Sequence, residues 1–195
     1  ISPMIKDLIM NNVVSYDNEK LIIVDLHDNE IGTLNKFKCH QKSGVLHRAF
    51  SIFLFNEQGQ LLVQKRSIQK KLWPSFWSNS CCSHPRQGED ILEAAKRRLN
   101  DELGLGEVKL EFVYKFSYEA AYKDIGSENE LCSVFLGVIV QKVNVNCNEI
   151  EEIRYINTSD LLSDMDARTD YTPWFIMEWK TLTSQYTNEL KSFLS

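Results

Sequence analysis

The chain has 195 residues, of which 43% are hydrophobic and 25% are charged, and this composition fits a globular protein with a full apolar core. The net charge of −5 argues against nucleic acid as a partner, because surfaces that bind nucleic acid are rich in Lys and Arg. No apolar run approaches the length of a membrane span, and residues 1–12 lack the basic start and apolar stretch of a secretory signal. We therefore expect a cytoplasmic protein that does not enter a membrane.

The chain contains five cysteines, two of them adjacent at Cys81 and Cys82, and this odd number does not resemble a disulfide framework. We expect free thiols. There is no repeat, low-complexity segment or linker in the sequence. We expect one domain over residues 1–195, with residues 1–15 as a flexible or additional N-terminal segment, and the sequence leaves the oligomeric state open.

The first half of the chain predicts two strand pairs and a helix. Residues 19–36 have the pattern of two short strands around an Asp-Asn turn, and residues 49–67 predict a strand, a turn at 56–59 and a second strand. In residues 88–106 the apolar side chains recur at helical spacing, and Gly104 stands where it would end the helix.

The second half predicts further strands and helices. Residues 109–120 and 130–145 are rich in strand formers, and residues 158–167 and 173–194 have helical patterns. Strands on both sides of a central helix indicate an α+β fold with a mixed sheet sandwiched by helices.

Three of the four histidines lie in segments with other reactive or rare residues. His40 and His47 are seven residues apart with a glycine between them, so a loop that folds back would bring both imidazoles to one ion. His84 closes a Trp-rich and Pro-containing stretch, residues 73–85, which has no helical period and is expected to be a loop. It comes two residues after Cys82, so a thiol would lie beside a metal-bound imidazole. His27 is expected in a turn outside this site.

Two carboxylates complete the predicted metal site. Glu128 and Glu130 are separated by one residue at the start of a predicted strand, so both side chains point to the same face. Three imidazoles and two carboxylates suit zinc, manganese, iron or magnesium, and the ligand types do not choose among them. Each residue also has an ordinary interpretation: a lone histidine is usually not a ligand, a Glu-x-Glu is usually a solvated strand face, and Cys82 alone is more often a buried apolar residue.

The central helix resembles a Nudix box, whose pattern is Gly-x5-Glu-x7-Arg-Glu-apolar-x-Glu-Glu-x-Gly-apolar. The residues at the required intervals are Glu89, Arg97, Leu99, Asp101, Glu102, Gly104 and Leu105. Three positions depart from the box: Ser83 replaces its first glycine, Arg98 replaces a glutamate, and Asp101 replaces another. In a Nudix hydrolase those glutamates bind the metal ions, so a cation at Arg98 argues against hydrolysis. Glu102 remains available to bind one Mg²⁺ together with the substrate phosphates.

A second resemblance covers most of the chain. The sequence contains His-x6-His-x-Ala-Phe-Ser, Trp-Pro-x-x-Trp-x-Asn-Ser-x-Cys-x-His-Pro, Glu-x-Glu and a late Thr-Pro-Trp, in this order. This set is similar to type I isopentenyl-diphosphate isomerases, which belong to the Nudix superfamily. The resemblance implies a Nudix-like fold and a metal site, with a divalent ion such as Mg, Mn or Zn, formed by His40, His47, His84, Glu128 and Glu130.

The same resemblance implies the remaining roles in the site. It makes Cys82 and Glu130 the two acid/base groups, Tyr118 the assisting phenol and Trp174 the indole that faces a cation. It assigns the substrate diphosphate to Lys36, Arg66, Lys70 and Arg98, and its Mg²⁺ to Glu102 and the Cys82 carbonyl. The ordinary alternatives are solvated surface charges for the lysines and a core anchor for Trp174. Arg66 ranks above the lysines, because its planar fork matches phosphate.

The chemistry of such an isomerase explains these residue types. Moving a double bond along a five-carbon diphosphate requires one proton to be added at one carbon and another to be removed elsewhere, through a cation or a cation-like transition state. Two alternatives remain: a Nudix pyrophosphohydrolase, which the residues at positions 98 and 101 disfavour, and a non-catalytic module, whose closed structural zinc site would favour cysteine ligands. We expect the isomerase, with an isoprenoid diphosphate as its small-molecule partner.

Overall fold

The computed structural model describes residues 12–194, in which nine strands join one mixed sheet. The strands are β1 Lys20–Val24, β2 Glu30–Asn35, β3 His47–Phe55, β4 Leu61–Arg66, β5 Trp77–Ser78, β6 Cys81–Ser83, β7 Leu110–Tyr122, β8 Gly126–Val138 and β9 Ile150–Ile156. The helices are α1 Lys36–Cys39, α2 Ile91–Leu103, α3 Leu161–Ala167, α4 Pro173–Gln185 and α5 Thr187–Lys191.

Strand β3 is the centre of the sheet. It runs parallel to β8 along its whole length and antiparallel to β1, β4 and β6. A strand that is covered on both faces usually has a continuous apolar sequence. Residues 49–55 of β3 have such a sequence, and all of them are buried. The sequence AFSIFLF is therefore central because both of its faces find apolar partners.

Helices cover both faces of the sheet. Along β3, alternate side chains point to opposite sides: Phe53 packs in a cluster with helix α4, whereas Ile52 packs in a cluster with helix α2. The prediction of an α+β mixed sheet sandwiched by helices is confirmed.

Helix α2 has the predicted ends. The Asp90 side chain accepts hydrogen bonds from the backbone of Leu92 and Glu93, and Gly104 takes a left-handed conformation with φ 63° that ends the helix. Two charged residues, Arg98 and Glu102, lie on its buried side together with the predicted apolar residues. This helix therefore carries charge into the interior.

The structure also corrects the sequence expectations. Residues 73–85, expected to be a loop, include the short strands β5 and β6, because their backbones pair with β4 and β3, respectively. The last helical segment, residues 173–194, divides into α4 and α5 at Tyr186, whose ψ of 39° departs from helical geometry. Of the expected N-terminal segment 1–15, residues 1–11 lie outside the described residues. Within residues 12–194, no helix has the length and apolarity that crossing a membrane requires.

Candidate active site

The register of the sheet brings three predicted site residues into one row. His47 on β3 lies directly opposite Glu130 on β8, and Glu130 in turn lies opposite Tyr118 on β7. Residues opposite each other on neighbouring strands have side chains on the same face. Strand pairing alone therefore places an imidazole, a carboxylate and a phenol side by side.

His40 is brought to this row by a close approach between helix α1 and strand β8. The His40 carbonyl accepts a hydrogen bond from the Ser127 backbone, at 3.0 Å. A Cβ atom at Gly126 would lie 2.4 Å from that carbonyl oxygen, so this position requires glycine. The side chain of His40 then reaches Glu128, with its Nε2 2.7 Å from Oε2 of the carboxylate.

The five predicted ligands form one cluster. Each of them offers a ligand atom, and these atoms all lie within 4.8 Å of one another. Glu130 Oε1 is 2.8 Å from His84 Nε2 and 3.7 Å from His47 Nε2. The cluster consists of His40, His47, His84, Glu128 and Glu130.

Hydrogen bonds on the outer side of two imidazoles orient their inner nitrogens. Nδ1 of His40 contacts the Lys36 carbonyl and Nδ1 of His47 contacts the Val45 carbonyl, both at 2.7 Å, so each Nδ1 carries the proton. Each Nε2 is thereby turned toward the cluster, as it is in metal-ligating histidines. Nε2 of His47 is buried and has no hydrogen-bond partner in residues 12–194.

The electrostatics of the cluster also fit a cation. Burial disfavours the charged form of His40, but the Glu128 carboxylate outweighs it and raises the pKa of His40 to about 9. Burial, with the nearby His47, holds the pKa of His84 well below its usual range. His40 is therefore mainly protonated at pH 7 beside Glu128, and a divalent metal ion bound by these imidazoles and carboxylates would supply the positive charge in its place.

The two adjacent thiols lie on opposite faces of β6. Cys81 is fully buried against helix α2, whereas Cys82 is partly exposed and lines a cavity. Cys82 Sγ donates to Asn79 Oδ1 at 2.8 Å and lies 3.4 Å from Ser51 Oγ. Burial and the charge of Glu178 raise the pKa of Cys82, so its resting form is the thiol.

The phenol and the indole of the predicted site both border this cavity. Tyr118 donates to Glu130 Oε2 at 2.7 Å, and burial raises its pKa well above the ordinary value, so it stays a donor. Trp174, in the first turn of α4, is 3% exposed, and its Nε1 donates to Ser78 Oγ at 3.1 Å. The indole therefore has a fixed orientation beside the cavity.

The cavity has a volume of about 630 Å³ and is lined by all four predicted diphosphate-binding cations, Lys36, Arg66, Lys70 and Arg98. Arg66 is fixed by hydrogen bonds to the Leu72 and Trp73 carbonyls, at 3.0 and 3.1 Å. Burial, with the charges of Lys70 and Arg98, lowers the pKa of Lys36 to about 8. A dense group of cations that repel one another suits a polyanion.

Helix α2 meets the cavity through Arg98. Its guanidinium donates to Glu102 Oε1 from Nε at 2.9 Å and to Glu149 Oε2 at 3.2 Å. Glu102 is buried behind this ion pair and does not line the cavity, so its assignment to a substrate-bound Mg²⁺ stays a prediction. On the same helix, Arg97 binds both carboxylate oxygens of Glu89, at 2.7 and 2.8 Å.

Sequence reasoning missed several residues around the site. Glu149 forms ion pairs with Lys70 and Arg98, and Glu178 lies fully buried in α4, with its Oε1 3.7 Å from Cys132 Sγ. Glu149 has no local signal in the sequence. Glu178 does have one, because it follows Trp174 by four residues and therefore lies on the same apolar helix face.

Comparison with known proteins agrees with this geometry. The NUDIX domain family matches residues 45–175. A protein of Photorhabdus laumondii named isopentenyl-diphosphate delta-isomerase 1 is 38% identical over 88% of this chain and 99% of its own length. A Salmonella arizonae protein named isopentenyl-diphosphate delta-isomerase is 40% identical, over 87% of this chain and 92% of its own.

Solved structures support the fold. The crystal structure of DR0079 from Deinococcus radiodurans aligns with a TM-score of 0.69, covering 83% of this chain and 98% of that one, at 21% identity. A MutT protein from Methanosarcina mazei aligns with a TM-score of 0.56 at 15% identity, covering 72% of this chain and 96% of that one. These structures support the fold alone, whereas the two relatives and the NUDIX family match show that the chain belongs to the isopentenyl-diphosphate delta-isomerase family of Nudix-domain proteins.

Proposed function

We propose that the protein interconverts isopentenyl diphosphate and dimethylallyl diphosphate. The observation that carries this proposal is that a thiol and a carboxylate border one cavity from opposite edges of β3: Cys82 lies on β6 and Glu130 lies on β8. A five-carbon chain above β3 would have one acid/base group on each side, as a 1,3-shift of a double bond requires.

The proton inventory balances without a redox partner. One group donates a proton to a terminal carbon of the alkene, and the other removes a proton from the carbon at the opposite end of the allylic unit. Glu130 has its carboxylate held by the Tyr118 hydroxyl, and Cys82 is a thiol in its resting form. The order in which they act is open. Trp174 would offer its π face to the positive charge that develops between them.

The histidine cluster would hold one divalent metal ion through His40, His47, His84, Glu128 and Glu130. Such an ion, when bound, supplies positive charge that fixes the carboxylates and changes the basicity of Glu130. Magnesium, manganese and zinc all fit this donor set. A second ion, Mg²⁺, would accompany the substrate diphosphate.

The diphosphate would bind where the cations line the cavity. Arg66 presents a planar guanidinium, held by backbone carbonyls, and Lys36 presents an ammonium at the same wall. The non-reacting end of the substrate would thereby fix the five-carbon chain between the acid/base groups.

The two alternative functions explain less of the site. A pyrophosphohydrolase gathers metal ions on helix α2, but here Arg98 forms an ion pair with Glu102 on that helix. A purely structural metal site would not need a thiol at the cavity surface. The names of the relatives favour the isomerase.

We also propose that the chain forms one domain and works in the cytoplasm. Cys39, Cys81, Cys82 and Cys132 form no disulfide bond in the structure, which supports a reducing compartment. One continuous sheet in residues 12–194 supports the single domain.

The test is incubation of the pure protein with isopentenyl diphosphate and Mg²⁺ in deuterated water, with separation of the products. We expect dimethylallyl diphosphate, deuterium in the substrate carbons and no release of phosphate or pyrophosphate from nucleoside diphosphate derivatives. Cys82→Ala should abolish the activity and Cys81→Ala, its buried neighbour, should keep it. Phosphate release without deuterium uptake would refute the isomerase.

A further inference from the structure

Ser78 is a buried serine that the proposed reaction does not use. It is 1% exposed, ends strand β5, and is not among the residues that line the cavity in residues 12–194. Its hydroxyl nevertheless lies between two groups of the proposed site. It contacts the Trp174 indole on one side and, on the other, the side chain of Asn79, which binds the Cys82 thiol. Buried hydroxyl groups are normally hydrogen-bonded, so the partners of Ser78 indicate what it holds in place.

The Asn79 amide is held in one orientation. Its Nδ2 donates to the carbonyls of Ile52 and Cys81, at 3.1 and 3.2 Å, which uses both amide hydrogens. Its Oδ1 can only accept, and it faces two donors, the Cys82 thiol at 2.8 Å and the Ser78 hydroxyl at 3.0 Å. The Ser78 proton is thus directed to Asn79.

This direction of the Ser78 proton leaves the Ser78 oxygen as an acceptor. An indole N–H can only donate, and Trp174 Nε1 donates to Ser78 Oγ at 3.1 Å. Thr172 Oγ1 donates to the same oxygen at 3.0 Å. The single hydrogen and both lone pairs of the Ser78 hydroxyl are then occupied. One continuous path of hydrogen bonds therefore runs from the indole through Ser78 and Asn79 to the Cys82 sulfur.

Backbone contacts attach the same strand to the start of helix α4. Trp77, the neighbouring residue in β5, donates its N–H to the Asp170 carbonyl at 2.7 Å and accepts from the Thr172 N–H at 2.9 Å. Thr172 directly precedes the first residue of α4, and Trp174 follows two residues later. Strand β5 therefore holds the backbone that carries the indole, while Ser78 holds the indole itself.

We propose that Ser78 is a positioning residue, which fixes the Trp174 indole relative to the Cys82 thiol. This inference rests on the proposed function, since that function gives both groups their part in the reaction. A cation that forms beside the thiol is stabilised only if the π face of the indole is turned toward it, and a misplaced group loses much of its effect. Ser78 acts through its hydrogen bonds and does not line the cavity.

Two substitutions at Ser78 separate positioning from packing. Ser78→Ala removes one oxygen and leaves the buried Trp174 N–H without its acceptor, so the indole would turn to find another partner. We expect kcat to fall by about five- to tenfold and KM to stay within about twofold, because the diphosphate contacts lie elsewhere. Ser78→Thr keeps the hydroxyl, and its kcat should stay within about threefold of the wild type.

Ser80 is the matched control, because it is a buried serine two residues further along the chain. Its Oγ donates to the Leu62 carbonyl at 2.6 Å and accepts from the Leu54 N–H at 2.8 Å, and both partners are backbone groups. Ser80→Ala should lower the melting temperature at least as much as Ser78→Ala does, while kcat stays within about twofold of the wild type. An equal loss of kcat in the two alanine variants would overturn the proposal.

A double-mutant cycle tests the path through the indole. Trp174→Phe has no N–H, so Ser78→Ala should cost little further kcat in that background. Wild-type kcat in Ser78→Ala would overturn the proposal, as would a loss that is equally large in the Trp174→Phe background. So would an equal loss in Ser78→Thr and Ser78→Ala with early melting, which is the result expected of a packing residue.

A measurement without substrate keeps this inference separate from the proposed function. In NMR spectra of the ¹⁵N-labelled protein, the indole N–H signal of Trp174 is the one that disappears in Trp174→Phe. We expect this hydrogen to exchange with solvent faster by about tenfold in Ser78→Ala, and at a nearly normal rate in Ser78→Thr and Ser80→Ala. Equal exchange rates in all variants would refute the positioning role. A wild type with no isomerase activity and this pattern of rates would refute only the proposed function.

Discussion

Replacing Trp174 separates its proposed action on a cation from its place in the core. The indole borders the cavity, its Nε1 is bonded to Ser78, and the edge contact with Trp73 has a centroid distance of 5.1 Å. A desolvated cation–π contact contributes about 2 kcal/mol. Trp174→Leu, which has no π face, should therefore lower kcat by about thirtyfold. Trp174→Phe keeps a weaker π face and should lose less than about tenfold.

The structural cost of these changes is predicted separately. Both variants lose the hydrogen bond to Ser78, and the Leu variant also leaves a cavity. The free energy of unfolding of the Leu variant should therefore be lower than that of the wild type by about 2–5 kcal/mol. KM should change little, because Arg66, whose guanidinium carbon lies 5.2 Å from the Trp174 ring centroid, is also held by two backbone carbonyls. The effect on the reaction therefore appears in kcat.

Trp179 is the matched control on the same helix. It is 1% exposed, packs against Phe53 and does not line the cavity. Trp179→Phe and Trp179→Leu should lower the melting temperature as much as the changes at Trp174, while kcat of the folded fraction stays near the wild-type value. The assay is kcat and KM for isopentenyl diphosphate together with thermal melting. If Leu and Phe at position 174 had equal rates, or if the Trp179 variants lost kcat to the same extent, the cation role would be refuted.

Three further predictions concern the metal cluster and the cations. His84→Ala should lose most of its bound metal, because it opens a cluster whose ligand atoms lie within 4.8 Å of one another; full metal content by elemental analysis would remove His84 from the site. The kcat/KM should fall as pH rises through about 8, because Lys36 then loses the proton that attracts the diphosphate. Lys36→Arg, which stays charged, should abolish this fall. If the pH profile of kcat/KM were the same in Lys36→Arg as in the wild type, Lys36 would not be the group that titrates. Gly126→Ala should lower both metal affinity and stability, because its Cβ would lie 2.4 Å from the His40 carbonyl oxygen. In the control Gly88→Ala no atom lies within 4 Å of the new Cβ, so only backbone strain at φ 76° should reduce its stability. Equal metal binding in the two variants would refute the reasoning.

The sequence determined the elements and the chemical types present in the site. Apolar periodicity and Gly104 define helix α2, and the one-residue spacing of Glu128 and Glu130 places both carboxylates on one face of β8. These are local properties, because a helix end or a strand face depends on a few neighbouring residues. The ordered motifs were specific enough to indicate the family before any contact was known.

Tertiary structure decided which distant groups meet. The register of β3 against β8 and β7, set by packing along whole strands, brings His47, Glu130 and Tyr118 together. The pairing of Arg98 with Glu149, 51 residues away, likewise has no local cause. Protonation states follow from burial and from neighbouring charges, so only the folded chain makes Glu178 a neutral acid and Lys36 a weakened base.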